Sequence, residues 1–504
     1  MCLNQEPKQN SGLSLHTAHF EGTVIVLLSL LVWVSCDRSL SDQQSDGGIN
    51  ELDIAPHDII QSIDQHFDAS LVLEQITVVE NPTNSLSYFL FWQTGIASVG
   101  EIKLICDGEE IGVAMEETYQ TDHEVFIMGL IPGVSCEISI QAVGENDLEG
   151  GAIVHLSEVY VPAELDEFSV ETFNPENTQP GWTLFGLTSV DFPGNQSPVY
   201  LVLVDEMGRY RWLYERTSTG TGTGASDVNV FDGGLLTAGP SPANPAQISW
   251  LGEILWEGDF IMHHDIQSSP YLENGLLYLG YGDSSSCVGC DGEGSVVDYD
   301  LSTQEASFTW CVCDHYIPLN NENGWSHLND IEPVEGEDRF LLSSREQSAI
   351  LNVNRTTGDL VWILGGDYNE FEMAPEALFY RQHAPHAQPG GSILLFDNGM
   401  DGVREYSRAV EIALHFDDSG GPLSAEVAWE YVDESLYSGA RSEADRLSNG
   451  NTLITYSLLD QEDVSLLREV TAEGEPVWEL RTEPSWNIYR SERILQPELI
   501  LLTP

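Results

Sequence analysis

Basic residues are scarce in this chain. There are 18 Lys+Arg against 82 Asp+Glu in 504 residues, and Lys8 and Lys103 are the only lysines. A formal charge of -64 excludes a nucleic-acid partner, because nothing here can neutralise a run of phosphates. Blocks of like charge are also missing. The acids are scattered, which describes a solvated acidic surface and not a disordered tail. High ionic strength would screen the self-repulsion of such a surface, as in proteins of salt-adapted organisms. Long apolar runs are absent as well. Residues 24–35 form an apolar stretch of twelve, short of the roughly 20 that span a bilayer, and no other segment is long and apolar enough. What the chain does have is 41% apolar residues and twelve tryptophans, ample for packed cores. Its length implies a large domain plus a smaller module.

The apolar stretch ends at Cys36. VWVSC followed by polar DRSLSDQQSDGG resembles a bacterial lipoprotein signal, in which the cysteine becomes the lipidated N-terminus. That resemblance implies a signal over 1–36, export to the periplasm or cell surface, and membrane attachment through a lipid on Cys36. Cleavage without lipidation is the alternative. In an oxidising compartment, the six cysteines beyond Cys2 and Cys36 are expected to form disulfides.

Residues 37–70 read as a polar tether with one short helix near 59–67. Over 71–163 short alternating strands and regular turn signals predict a β-sandwich. ITVVENP, YFLFWQTG, IKLICDG, HEVFIMGLIPG and CEISIQAVGEN resemble fibronectin type III strands, with Trp92 in the core. Cys106 and Cys136 fall on separate strands and are expected to bridge. From 164 to 504 the chain repeats. Gly-containing turns (PGNQSPVYLVLVD, DGGLLTAG, ENGLLYLG, GEDRFLLSS, PGGSILLFDNG, SNGNTLITYS) are each followed by strands and a closing tryptophan: Trp212, Trp256, Trp310, Trp362, Trp429 and Trp478. Spacings of this length fit four-stranded blades better than solenoid repeats. The expectation is an all-β chain, a six-bladed β-propeller preceded by the small sandwich.

Just upstream of each Gly turn a polar residue opens the first strand: Asp265, Asp330, His386 and Asp445. His327 and His383 both stand three residues before that position, and His264 stands one before it. His386 instead occupies the position itself, so it reads as a structural group bonding a turn. Asp265 and Asp330 read as strand-opening or supporting groups. Arg441, in RSEADRLSNG, reads as turn-stabilising. First strands line a propeller's channel, so their starts converge at one mouth. Three histidines with Arg345 would make a pocket for a tetrahedral anion. Imidazole can act as nucleophile, acid or base, and a guanidinium fork suits oxyanions.

WSHLND, then the arginine of LLSSR eighteen residues after its histidine, then ILGG, QH, LLFDNG, SRAVE and LSNGNTLI resemble the bacterial arylsulfate sulfotransferases that need no nucleotide donor. The resemblance covers roughly 165–495 and is strongest over 325–457. It implies an exported propeller that moves a sulfuryl group from an aryl sulfate donor to a phenolic acceptor through a sulfohistidine, with no cofactor and no metal. It makes His383 the nucleophile, with His327, Arg345 and His264 as further catalytic groups. Asn329 and His263 then become substrate-binding candidates, with His264 the better match of the adjacent pair. Two other readings stay open: a metal-dependent ester hydrolase using His263, His264, His327 and His383, and a surface-tethered binding propeller without turnover. Cys287, Cys290, Cys311 and Cys313 allow either two disulfides or a zinc site, and the exported setting favours disulfides.

Overall fold

The computed structural model describes residues 60–65, 70–165, 168–172, 174–189, 199–216, 227–231, 233–238, 244–281, 287, 292–319 and 324–502. The leader with Cys36, most of the expected tether, and Cys290 lie outside them. Strands dominate the described residues, arranged as one N-terminal sheet assembly and six blades.

The N-terminal module is built on one long strand, Tyr88–Cys106. Its first half pairs with Leu73–Glu80 and Gln120–Ile127, its second half with Glu109–Met115 and Cys136–Gly144. Glu149–Leu156 extends the latter group. Every second residue along much of the strand is buried, including Leu90, Trp92, Ile102 and Leu104. Cys106 and Cys136 face each other across the ladder and form a disulfide.

Two edges of this module differ from expectation. Ile60–Gln65, expected to lie in a tether with a short helix, is a strand paired with Glu149–Leu156. Five of its six side chains are exposed, so backbone pairing and not an apolar face holds it, a force that leaves no periodicity to read. At the other end, Ile500–Leu502 leaves the propeller and pairs with Gln120–Ile127.

Each blade is built on four antiparallel strands, with a fifth added at the outer edge of blades five and six, and the six closing tryptophans all lie on the fourth strand counted from the channel. Four of them carry a clasp. The indole N–H of Trp212 donates to the Trp250 carbonyl, Trp310 to Gly358, Trp429 to Ala472 and Trp478 to Glu206, at 2.8–2.9 Å. In each case the acceptor is the last turn of the next blade, and the Trp478 bond joins blade six to blade one. A large apolar ring with one polar edge suits this position, because it fills the gap between blades while its single donor finds a carbonyl.

The ring closes by sharing. Blade one consists of Trp182–Ser189, Val199–Val204 and Tyr210–Arg216, with Trp486–Ile494 from the far end of the chain as its inner strand. Blade six gains Ser169–Thr172 at its outer edge. This strand exchange removes the open edge that a purely sequential ring would leave.

The closing strand also delivers Arg490 into the channel. Its guanidinium lies 2.8 Å from Asp330, 3.5 Å from Asp265 and 3.8 Å from Asp227, and donates to the Asn329 carbonyl at 2.8 Å. One cation thus ties blade one to blades two, three and four. Removing one partner of a buried ionic cluster leaves the others uncompensated, at a cost of about 3–5 kcal/mol. Arg490→Met should lower the urea midpoint accordingly; a midpoint equal to that of the parent would show that the cluster contributes nothing to ring closure.

Candidate functional site

The inner strands of blades three, four and five are Met262–Ser268, Leu328–Pro333 and His383–Ala387. Each loses register at its mouth end: between Met262 and Ile266, Leu328 and Asp330, and His383 and His386. Blade one's inner strand does so between Ile488 and Ser491. The backbone there is strained, with positive φ at His264 (56°), His327 (36°), Ala384 (47°), Arg441 (61°) and Ser442 (79°). Non-glycine residues held in this region cost of order 1 kcal/mol or more each and persist only where the surroundings enforce them. Bulges of this kind re-aim side chains, and here they turn the histidines onto the mouth.

His383 is buried. Its Nδ1 lies 2.7 Å from Asn398 Oδ1, and its Nε2 accepts the Arg441 backbone N–H at 3.1 Å. Burial, with the Arg345 charge beside it, holds its pKa well below the usual histidine value, so the ring is neutral. His264 is likewise held well below that value, by burial and by neighbouring His263 and His327. The His264 and His327 rings lie 5.0 Å apart. His263 sits behind them, with Nδ1 2.9 Å from His264 Nδ1 and Nε2 at the Gly280 carbonyl, and burial pushes it down to about 3. Of the adjacent pair, His264 therefore faces His327 and His263 backs it. His327 Nδ1 stands 3.4 Å from Glu293. Its carbonyl accepts the Arg345 backbone N–H at 3.1 Å, so the fourth-blade histidine and arginine are locked together.

Arg345 reaches over blade five to the Gly439 carbonyl at 3.0 Å and pairs with Glu346. Asn329 is fully buried, donating to the Gln382 carbonyl at 3.0 Å. It supports the backbone leading into His383 and does not reach towards open space, which differs from the substrate contact expected for it. Gln382 in turn bonds Ser343 and the Ala349 carbonyl. The nucleophile candidate is therefore held from blades four, five and six together.

His386 does not bond a turn. It points along the channel between Glu443 (3.3 Å), Asp445 (3.1 Å) and Glu332 (3.8 Å). Burial opposes its charge, but bonding to Glu332 and Glu443 overrides this and holds its pKa well above the ordinary value. Among the described residues, His386, Glu443 and Asp445 are the group able to converge on a metal ion. The four histidines of the hydrolase reading do not form such a group. Beside His386, burial and the Glu443 charge hold the Asp445 carboxyl well above the usual carboxylate range. Cys287 bonds Cys311, and Cys313 is disulfide-bonded too, so these thiols are not zinc ligands. Arg441 does not stabilise its turn through its side chain: among the described arginines, its guanidinium alone has neither a carboxylate nor a hydrogen-bond partner, while Tyr489 lies close enough to interact electrostatically.

Sequence reasoning missed Arg490, Asn398, Tyr489 and the Arg441 amide. Tyr489 is buried with no partner for its hydroxyl. Asn398 was visible in LLFDNG as part of a turn, but nothing in the sequence says that it faces His383.

The sequence profile described as Arylsulfotransferase (ASST) matches residues 176–489. The chain belongs to the arylsulfotransferase family. It is accordingly a sulfotransferase, with aryl sulfates as donors and phenols as acceptors. No curated protein matches this sulfotransferase closely. Similar solved structures include a putative 6-phosphogluconolactonase from Bacteroides fragilis (11% identity, 79% of this chain and 98% of that one, TM-score 0.35). A protein from Lactobacillus plantarum gives 11% identity, 79% and 99% coverage and TM-score 0.34. The dihydro-heme d1 dehydrogenase gives 13% identity, 86% and 80% coverage and TM-score 0.30. Likenesses this loose carry nothing about activity.

His386 binds its proton more tightly in the folded state. Its contribution to stability is therefore complete below about pH 6.5, the unfolded value, and fades as pH climbs through the raised folded value. The stability lost in His386→Gln, measured by urea titration, should be largest at about pH 6 and shrink towards alkaline pH. A gap that widens with pH would mean that His386 is buried neutral.

Proposed function

We propose that this sulfotransferase works by a ping-pong route in which His383 Nε2 attacks the donor's sulfur. The phenolate leaves with the S–O bonding pair, and the resulting sulfohistidine passes its sulfuryl group to a phenol acceptor. The observation that carries this reading is the setting of His383: buried, with Nε2 turned to a hydrogen-bond donor and not to a carboxylate, in surroundings that hold its pKa well below the ordinary histidine value. A neutral imidazole has the lone pair that a nucleophile needs. Arg345, His327 and His264 are near enough to interact with it electrostatically and would hold the sulfuryl oxygens, much as electrostatic clamps do in phosphoryl transfer. The Arg441 N–H, once the lone pair is used, is free to donate to one of those oxygens. His327, the less enclosed imidazole and the one beside Glu293, is suited to exchanging a proton with the phenol oxygen.

Export with a lipid on Cys36 belongs to the same reading. It rests on the apolar stretch 24–35 and is supported by disulfides at Cys106–Cys136 and Cys287–Cys311, which persist in oxidising compartments.

With a chromogenic aryl sulfate, phenol release should depend on a phenol acceptor and survive a chelator. His383→Ala should abolish both transfer and trapping of a sulfated enzyme. Arg345→Lys should lose at least about 100-fold in kcat/KM, since a point charge does not replace the fork. Full turnover by His383→Ala would overturn the nucleophile, and near-parent kinetics of Arg345→Lys would make that arginine structural. Release that requires metal but no acceptor would replace the transferase mechanism with hydrolysis.

A further inference from the structure

Asn398 fixes which nitrogen of His383 carries the proton. It follows the strand Ile393–Asp397 and is fully buried. Its amide nitrogen donates to two carbonyls, Ser438 at 2.7 Å and Arg441 at 3.0 Å. Carbonyls only accept, so the amide cannot flip, and its oxygen must be the atom that faces His383 Nδ1 at 2.7 Å. An oxygen acceptor there requires a proton on Nδ1. On the other side of the ring, the Arg441 backbone N–H can only donate, so Nε2 must be unprotonated. Two partners that cannot exchange roles therefore impose one tautomer: Nδ1–H, with the lone pair on Nε2 at the mouth.

We infer that Asn398 is a positioning residue that keeps the Nδ1 proton in place through the whole catalytic cycle, so that the sulfated intermediate is an N-sulfoimidazolium. This inference rests on His383 being the nucleophile. When Nε2 forms its bond to sulfur, the S–O bond to the aryl oxygen breaks and its electron pair leaves with the phenolate. The ring, still protonated at Nδ1, becomes cationic against the anionic sulfuryl group. When the acceptor oxygen attacks sulfur, the Nε2–S pair returns to the ring and regenerates the neutral imidazole with the same proton. The chemical point lies in the choice of amide over carboxylate. An amide oxygen orients the N–H but is not a base, so the proton stays and the cationic ring remains a good leaving group. A carboxylate at 398 would raise the basicity of His383 and trap it as imidazolium before reaction. It would also take the proton from, or overstabilise, the sulfated ring.

The tautomer of the free enzyme is read directly from ¹⁵N chemical shifts of labelled histidine, with His383 assigned by difference against His383→Gln. Nδ1 is expected protonated and Nε2 bare at neutral pH. Asn398→Asp should move the acid limb of the phenol burst towards alkaline pH by about 1–3 units, the effect of an adjacent opposite charge. It should also slow discharge of the sulfated enzyme by acceptor. Asn398→Ala should slow the burst roughly 10–100-fold, the scale on which metal sites lose activity when the partner orienting a ligand histidine is removed, and Asn398→Gln should recover part of it. A proton found on Nε2 in the parent enzyme, or an Asn398→Asp burst with the parent's pH profile, would overturn the inference. The spectrum needs no variant to fold at position 398. It also stands apart from the nucleophile reading, which would fail instead if His383→Ala retained transfer.

Discussion

Arg490 is the cation that three carboxylates of three different inner strands converge on in the channel. It enters from the last strand of the propeller, so it exists in that place only once the ring has closed. Without it, Asp227, Asp265 and Asp330 would face one another in a buried space, where burial already pushes the pKa values of Asp227 and Asp330 well above the carboxylate range. With it, Asp265 is free to accept the Ile331 backbone N–H at 2.8 Å and Asn329 is pinned by its own carbonyl. From Asn329 the constraint runs to the Gln382 carbonyl and so to His383. Ring closure and placement of the reactive imidazole are therefore one chain of contacts.

That coupling explains why strain can be held at the mouth. Positive φ at His264, His327, Ala384, Arg441 and Ser442 would relax in an isolated hairpin. Here each strained residue precedes or interrupts a strand clamped by its own blade and by the next one, and four tryptophan clasps lock blade to blade on the outside. The strained turns aim imidazoles and one backbone N–H at a common space. The ladder beyond each turn continues without further distortion, so the cost is confined to the residues that face that space.

The parts of this arrangement that were legible in the sequence are those that repeat. Six turn-and-tryptophan units gave the propeller, because each blade must solve the same packing problem. Aligning the units gave His327 and His383 a common offset, with His264 one residue before its own repeat position, which is how chemistry stands out against scaffold. What did not repeat was not legible. Arg490 lies on a strand with no Gly turn after it, because blade one is assembled from both ends of its domain. His386 occupies a scaffold position but serves a channel of acids contributed by blades four and six, a partnership that no single unit contains. Ile60–Gln65 escaped for the opposite reason: an edge strand held by its backbone has no pattern in its side chains. Asn398 was visible and unreadable, since its role lies in which of two nearly identical amide atoms faces the imidazole.

The charge of -64 sets the last constraint, because the donor is an anion and the acceptor gains negative charge as it reacts. Surface charges act over roughly 8 Å at physiological salt, so an acidic exterior opposes approach, and the opposition must end inside the mouth. Arg345 contributes less there than its formal charge implies, since Glu346 pairs with it and lies 3.7 Å from Arg381. The histidines contribute little in the free state, because burial keeps His264 and His383 neutral. Arg441 is different: burial lowers its pKa, and no carboxylate offsets that desolvation. Its own backbone N–H touches His383 Nε2, so the residue whose guanidinium lacks a carboxylate partner also holds the candidate nucleophile through its backbone.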